Sequence, residues 1–135
     1  MWLAIRFSCV EIYPKEAFGW LLGESNRDTW TIHTVAVPQI IEQRGKDLVV
    51  SHDNSDHTWR HFKDSEDLLI GDFHSHPDGL SIASKADKEN MTEMYDGYCF
   101  LVIATYPNRL KKMSFKPRGY VHLDGKIRAA KVVKP

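Results

Sequence analysis

The chain has 135 residues, 42% of them apolar and 27% charged, ordinary proportions for one globular domain able to bury a core. Its 18 basic and 18 acidic side chains cancel, so nothing favours a phosphate-backbone partner and no nucleic acid is expected. No apolar run of about eighteen residues is present, so no membrane span is expected. The start, Met1-Trp2-Leu3-Ala4-Ile5-Arg6-Phe7, lacks the basic segment and long apolar core of a signal peptide. The two cysteines, Cys9 and Cys99, lie far apart in apolar settings. Buried thiols and a cytoplasmic location are the expectation, with a single Cys9–Cys99 disulfide as the alternative.

In chain order, residues 2–7 read as a strand and residues 8–13 as a short helix ended by Pro14. Residues 18–22 suit a buried strand closed by Gly23. Asn26-Arg27-Asp28 then reads as a hairpin turn into the β-branched run 29–37, which Pro38 ends. The pattern is weak over residues 39–67, with a strand over 48–51 and a helix over 56–63. An apolar run over residues 68–73 leads into His74 and His76, and Ser84 opens a polar helix that reaches Met94. Residues 98–105 are the most continuously apolar stretch and suit a central strand buried on both faces. Pro107-Asn108 turns into a strand over 111–116. Asp124-Gly125 is a hairpin turn between strands over 119–123 and 126–133. Alternating strands and helices, without repeats or linkers, predict a single α/β domain over residues 1–135.

The stretch His74-Ser75-His76-Pro77-Asp78-Gly79-Leu80-Ser81-Ile82-Ala83-Ser84-Lys85-Ala86-Asp87 carries the chemistry. Side chains alternate along a strand, so His74 and His76 share a face while Ser75 points away. Pro77 stops the strand, and Asp78-Gly79 turns the chain. Asp87 falls on the first turn of the following helix. Two imidazoles and one carboxylate therefore converge from a strand end and a helix start. Three such ligands with a fourth position left for water is the pattern of catalytic rather than structural zinc.

His-Ser-His-Pro, six residues, Ser, two residues, Asp resembles the JAMM motif of the catalytic MPN zinc metalloproteases (JAMM/MPN+). A second segment agrees: Pro14-Lys15-Glu16-Ala17-Phe18-Gly19-Trp20-Leu21-Leu22-Gly23 matches that family's Pro-x-Glu-x-x-Gly-x-Leu-x-Gly position by position. The likeness covers nearly the whole chain and points to a short, stand-alone prokaryotic-type member. It implies a curved mixed β-sheet flanked by helices, with the layout of the cytidine deaminases. It also implies one zinc ion held by His74, His76 and Asp87, with Glu16 as general base and Ser84 steadying the oxyanion. The expected reaction is hydrolysis of a peptide or isopeptide amide after the C-terminal tail of a ubiquitin-like or sulfur-carrier β-grasp protein. A phage-tail or cell-wall peptidase on the same domain is the enzymatic alternative, and a non-catalytic MPN interaction module is the other.

Each residue also has a duller reading. A lone strand-end histidine is usually just polar, but two on one face with Asp87 at matching distance are not. Asp87 alone would pass for a helix-start carboxylate facing the macrodipole. Glu16 could be simply exposed after Lys15, and Glu11 competes with it but lacks the Gly19 and Gly23 context. Ser84 could be only a helix N-cap, with Asp87 at the capping-box position; Ser81 could cap instead. Asp72 shares the histidine face but matches no ligand position, which suits a supporting or surface role. The patch from His52 to His61 aligns His57 and His61 on a helix but lacks the zincin glutamate, so a solvated segment overhanging the cleft is expected. Cytidine deamination fails for want of His-x-Glu and Pro-Cys-x-x-Cys, since Cys99 stands alone. His-x-His amidohydrolases need barrels of roughly 250 residues.

Overall fold

The structure, a computed structural model, describes residues 1–26, 28–37, 41–44, 47–50, 60, 68–110 and 112–134. It opens with a helix, α1 (Trp2–Ile12), where residues 2–7 were expected to be a strand. The correction has a simple cause. Trp2, Ile5, Cys9 and Ile12 are spaced three, four and three apart, so only a helix gathers them on one side, where they meet the core. Strand alternation would have put Arg6 on the same face as Trp2. Tyr13, extended at φ −51° and ψ 136° as a residue before proline should be, ends α1.

Strands β1 (Phe18–Ser25) and β2 (Trp30–Ala36) form an antiparallel hairpin. The Asn26 side chain accepts the N–H groups of Asp28 and Thr29 at 3.0 and 2.9 Å, fixing the turn. Gly23 does not close β1 as expected; the strand runs past it through a register shift between Leu22 and Gly23. A Cβ at Gly23 would lie 2.0 Å from the Thr31 carbonyl oxygen, so glycine is there for close approach of β2. A two-stranded ribbon of β3 (Ile41–Arg44) and β4 (Asp47–Val50) follows, the second near the strand expected over 48–51. The helix expected over 56–63 and the histidine patch lie outside the described residues, Arg60 apart.

The remaining elements are β5 (Leu68–Pro77), α2 (Lys85–Thr92), β6 (Cys99–Pro107), β7 (Met113–Leu123) and β8 (Lys126–Ala130). The main sheet has the order β2-β1-β5-β6-β7-β8. Its β5–β6 pair is parallel and joined through α2, while the other pairs are antiparallel, so the sheet is mixed. β6 is central, as its unbroken apolar run predicts. Cys99, Leu101 and Ile103 join the core beneath α1, and Phe100 and Val102 join the core beneath α2. β7 is one strand where two segments were expected. β8 ends opposite Gly119, so at Pro117 one flank of β7 has no partner and a residue without an N–H fits. Asp124 and Gly125 both take positive φ, 53° and 74°, which matches the twist of a two-residue hairpin. Among the described residues no helix is long and apolar enough to cross a membrane.

Candidate metal centre

Strand β5 sorts its residues by face. Phe73 and Ser75 are fully buried toward α1, while Asp72, His74 and His76 lie half-buried on the α2 side. The chain then turns. Asp78, in the left-handed region at φ 56°, donates its N–H to the Thr105 carbonyl at 2.7 Å, and Gly79 donates to the His76 carbonyl at 3.2 Å. Tyr120 anchors the return: its hydroxyl accepts the Ala83 N–H at 3.0 Å and donates to the Ser81 carbonyl at 3.2 Å. The loop delivers the chain to Ser84 at the start of α2.

Ser84, not Ser81, caps that helix. Its hydroxyl accepts the Asp87 N–H at 3.0 Å, and the Asp87 carboxylate accepts the Ser84 N–H at 2.7 Å, a complete capping box. The box does more than end a helix, because it sets the rotamer of Asp87 and turns its carboxylate toward β5. His74 Nε2 lies 3.3 Å from Asp87 Oδ1 and His76 Nε2 lies 3.3 Å from Asp87 Oδ2. The two Nε2 atoms are 3.0 Å apart. Side-chain exposures of 13%, 17% and 18% leave the trio reachable from one side.

These donors fit a metal ion. Ligand bonds of roughly 2.0–2.2 Å in a tetrahedron imply ligand–ligand edges of roughly 3.3–3.6 Å, and the observed separations fall at or just under that range. His76 Nδ1 is 2.7 Å from the Leu80 carbonyl, which can only accept. That bond keeps a proton on Nδ1 and turns Nε2 to the trio, where it donates to Asp87 when the ring is protonated and offers its lone pair when the ring is neutral. Among the described residues, His74, His76 and Asp87 form a group able to hold a metal ion, as the sequence implied.

Electrostatics reinforce the geometry. Hydrogen bonding to Asp87 raises His76 above its ordinary value, against burial and with help from the Leu80 carbonyl and the Glu16 charge. Burial would push Asp87 up, but the two imidazoles and the Ser84 N–H outweigh it and hold the carboxyl well below its usual range. Asp72, two residues before His74, is different. Burial pushes its carboxyl up to about 6, against the pull of His74 and of the Tyr98 hydroxyl beside it.

Glu16 arrives from across the sheet. Phe18 pairs with His74, and Ala17 exchanges hydrogen bonds with Ser75, its N–H to Ser75 Oγ at 2.7 Å and its carbonyl from the Ser75 N–H at 2.9 Å. Glu16 lies just before this paired stretch, and its charge acts on His76. Sequence reading gave Asp78 only a turn and did not single out Tyr13, Leu80 or Tyr120 among the residues that hold this assembly. None is a fixed motif position, and a backbone carbonyl leaves no trace in residue type. Cys9 and Cys99 are free and buried, as expected, and burial pushes their thiols up to about 11 and about 12. Neither is a nucleophile at neutral pH.

Comparison with known proteins places this geometry. The family described as prokaryotic homologs of the JAB domain matches residues 1–116. The chain belongs to that family. No curated protein matches it in sequence. This JAB-domain homolog shares its fold with the solution structure of a protein from Desulfitobacterium hafniense, at a TM-score of 0.71 and 17% identity over 98% of this chain and 86% of that one. A solution structure of a protein from Salinibacter ruber is also similar, at a TM-score of 0.58 and 20% identity over the same shares.

Proposed function

We propose that this JAB-domain homolog is a zinc-dependent metallopeptidase of the isopeptidase type. The observation that carries the reading is the convergence of His74 Nε2, His76 Nε2 and Asp87 at 3.0–3.3 Å, with Glu16 two residues before Phe18, the strand partner of His74, and its charge acting on His76. When bound there, zinc supplies Lewis-acid polarisation of a carbonyl and makes water acidic enough to react near neutral pH. Glu16 takes the proton from the attacking water and hands it to the departing amine. Ser84 spends its oxygen lone pair on the Asp87 N–H, which leaves its O–H free to donate to a developing oxyanion. The Ser84 N–H and the Leu80 carbonyl orient Asp87 and His76, and the Asp87 N–H orients the Ser84 hydroxyl, without themselves meeting substrate.

The substrate we propose is the C-terminal tail of a ubiquitin-like or sulfur-carrier β-grasp protein joined through an amide. The segment from Asp87 to Cys99 holds only the rest of α2 and a short turn, leaving no room for a second gripping insertion. A small modifier suits that better than a polymeric chain. The test uses a β-grasp protein whose diglycine tail is fused by an amide to a reporter. Wild-type protein loaded with zinc should release the reporter, Asp87→Ala should lose both zinc and turnover, and Glu16→Gln should keep zinc and lose about 100- to 10,000-fold in turnover. Full turnover in Glu16→Gln would refute the role given to Glu16. Stoichiometric zinc without cleavage of any amide tail would mark a binding module instead.

A further inference from the structure

We propose that Tyr13, Asp78 and Ser75 are positioning residues that clamp the segment carrying Glu16 against the His74–His76–Asp87 trio. The inference rests on the reading of Glu16 as the proton acceptor and adds what makes that residue effective. Glu16 sits between α1 and β1, outside both helix and strand. Proton transfer needs the Glu16 carboxylate held within hydrogen-bonding reach of the reacting water, so the placement of this connection matters.

The connection is tied at both ends. Tyr13 projects its hydroxyl to within 2.8 Å of both carboxylate oxygens of Asp78, a shared and partly charged hydrogen bond. Asp78 is itself fixed, directly after Pro77, with a left-handed backbone and an N–H bonded to Thr105 on β6 at 2.7 Å. At the other end, Ser75 holds Ala17 through two hydrogen bonds of 2.7 and 2.9 Å, and Ser75 is completely buried. Ser75 therefore has two jobs. It spaces the two histidines along β5, and from the opposite face it ties down the residue next to Glu16. Tyr13 closes the loop around the His76 end, joining the segment before Glu16 to the loop that leads on to Ser84. A displacement of about 1 Å at a reacting group can cost on the order of 100-fold in rate, so either tie is worth having.

The test compares Tyr13→Phe, Asp78→Gly and Asp78→Asn with wild type and with Glu16→Gln, all as full chains. Asp78→Gly keeps the left-handed backbone but removes the acceptor; Asp78→Asn keeps both an acceptor oxygen and a residue tolerant of that backbone. Ser75→Ala opens a buried site and risks the fold, so the surface pair carries the decision. Three quantities are read: exchange of the Ala17 amide hydrogen in metal-free protein, the pH midpoint of the visible absorption of cobalt(II)-loaded protein, and turnover with zinc. Tyr13→Phe and Asp78→Gly should speed Ala17 exchange and move the cobalt midpoint in the same direction as Glu16→Gln. They should also lower turnover by about 10- to 100-fold at unchanged zinc content. Asp78→Asn should track wild type in all three. Wild-type exchange and midpoint in both Tyr13→Phe and Asp78→Gly, beside a clear response to Glu16→Gln, would overturn the clamp and leave the reading of Glu16 standing. An absent response to Glu16→Gln would overturn both.

Discussion

Pairing of Asp87 with two imidazoles should make the stability of the metal-free protein depend on pH in a way that Asp87→Asn removes. The substitution keeps the size of the side chain, deletes its charge and leaves one acceptor oxygen where two are in use. Hydrogen bonding to Asp87 raises His76 above 6.5, so its stabilising contribution is complete below 6.5 and fades as pH climbs through the higher folded value. Asp87 is lowered from 3.8, so its contribution is present above 3.8 and is lost only as pH falls toward the lower folded value. The two contributions coincide between 3.8 and 6.5. A charge-assisted hydrogen bond contributes about 1.5–3 kcal/mol, less where solvent reaches it, so Asp87→Asn should cost about 1–2 kcal/mol near pH 5.5 and about 0.5 kcal/mol near pH 8.5. At about 4 °C per kcal/mol for a domain of this size, the gap in Tm should be about 4–8 °C at the lower pH and about 2 °C at the higher. Thermal unfolding followed by circular dichroism in the presence of a chelator measures it. A gap that is the same at both pH values would refute the pairing. Zinc should reverse the trend, because ligand imidazoles must shed their protons to bind it: stabilisation by zinc should grow as pH rises past about 6.5.

Ser84 separates its two roles through one pair of variants. Asparagine caps helices as well as serine does but has no hydroxyl, so Ser84→Asn should keep thermal stability while Ser84→Ala loses about 1 kcal/mol. Both should lose about 100- to 1000-fold in kcat if the hydroxyl meets the oxyanion, and normal turnover in Ser84→Asn would remove that role. Gly23→Ala forces a Cβ against the Thr31 carbonyl and should destabilise by about 1–3 kcal/mol by denaturant titration; a neutral effect would mean that β2 yields easily. Cys9 and Cys99 should resist a thiol reagent in the native protein and react together on unfolding, whereas prompt labelling of either would contradict their burial.

The trio was legible in the sequence because its parts are local. His74 and His76 share a face by strand alternation, Pro77 ends the strand, and Ser84 and Asp87 are one helical turn apart, so a single stretch of chain brings together three donors able to hold a metal ion. β6 was legible for the same reason, since a run buried on both faces needs no partner to be recognised. Trp2 to Phe7 was misread because over six residues an apolar segment fits a strand or a helix equally; the decision came from Cys9 and Ile12, further along, and from the sheet they pack on. The continuity of β7 through Pro117 could not be foreseen either, because it depends on where β8 stops. Glu16 shows the division most clearly. Its motif is in the sequence, but its approach to His76 follows from the pairing of Phe18 with His74, and the ties at Ser75 and from Tyr13 to Asp78 join residues as much as 65 apart. Short-range patterns follow from backbone periodicity, which every residue carries with it. Contacts between distant residues are decided only when the sheet closes and burial selects one register.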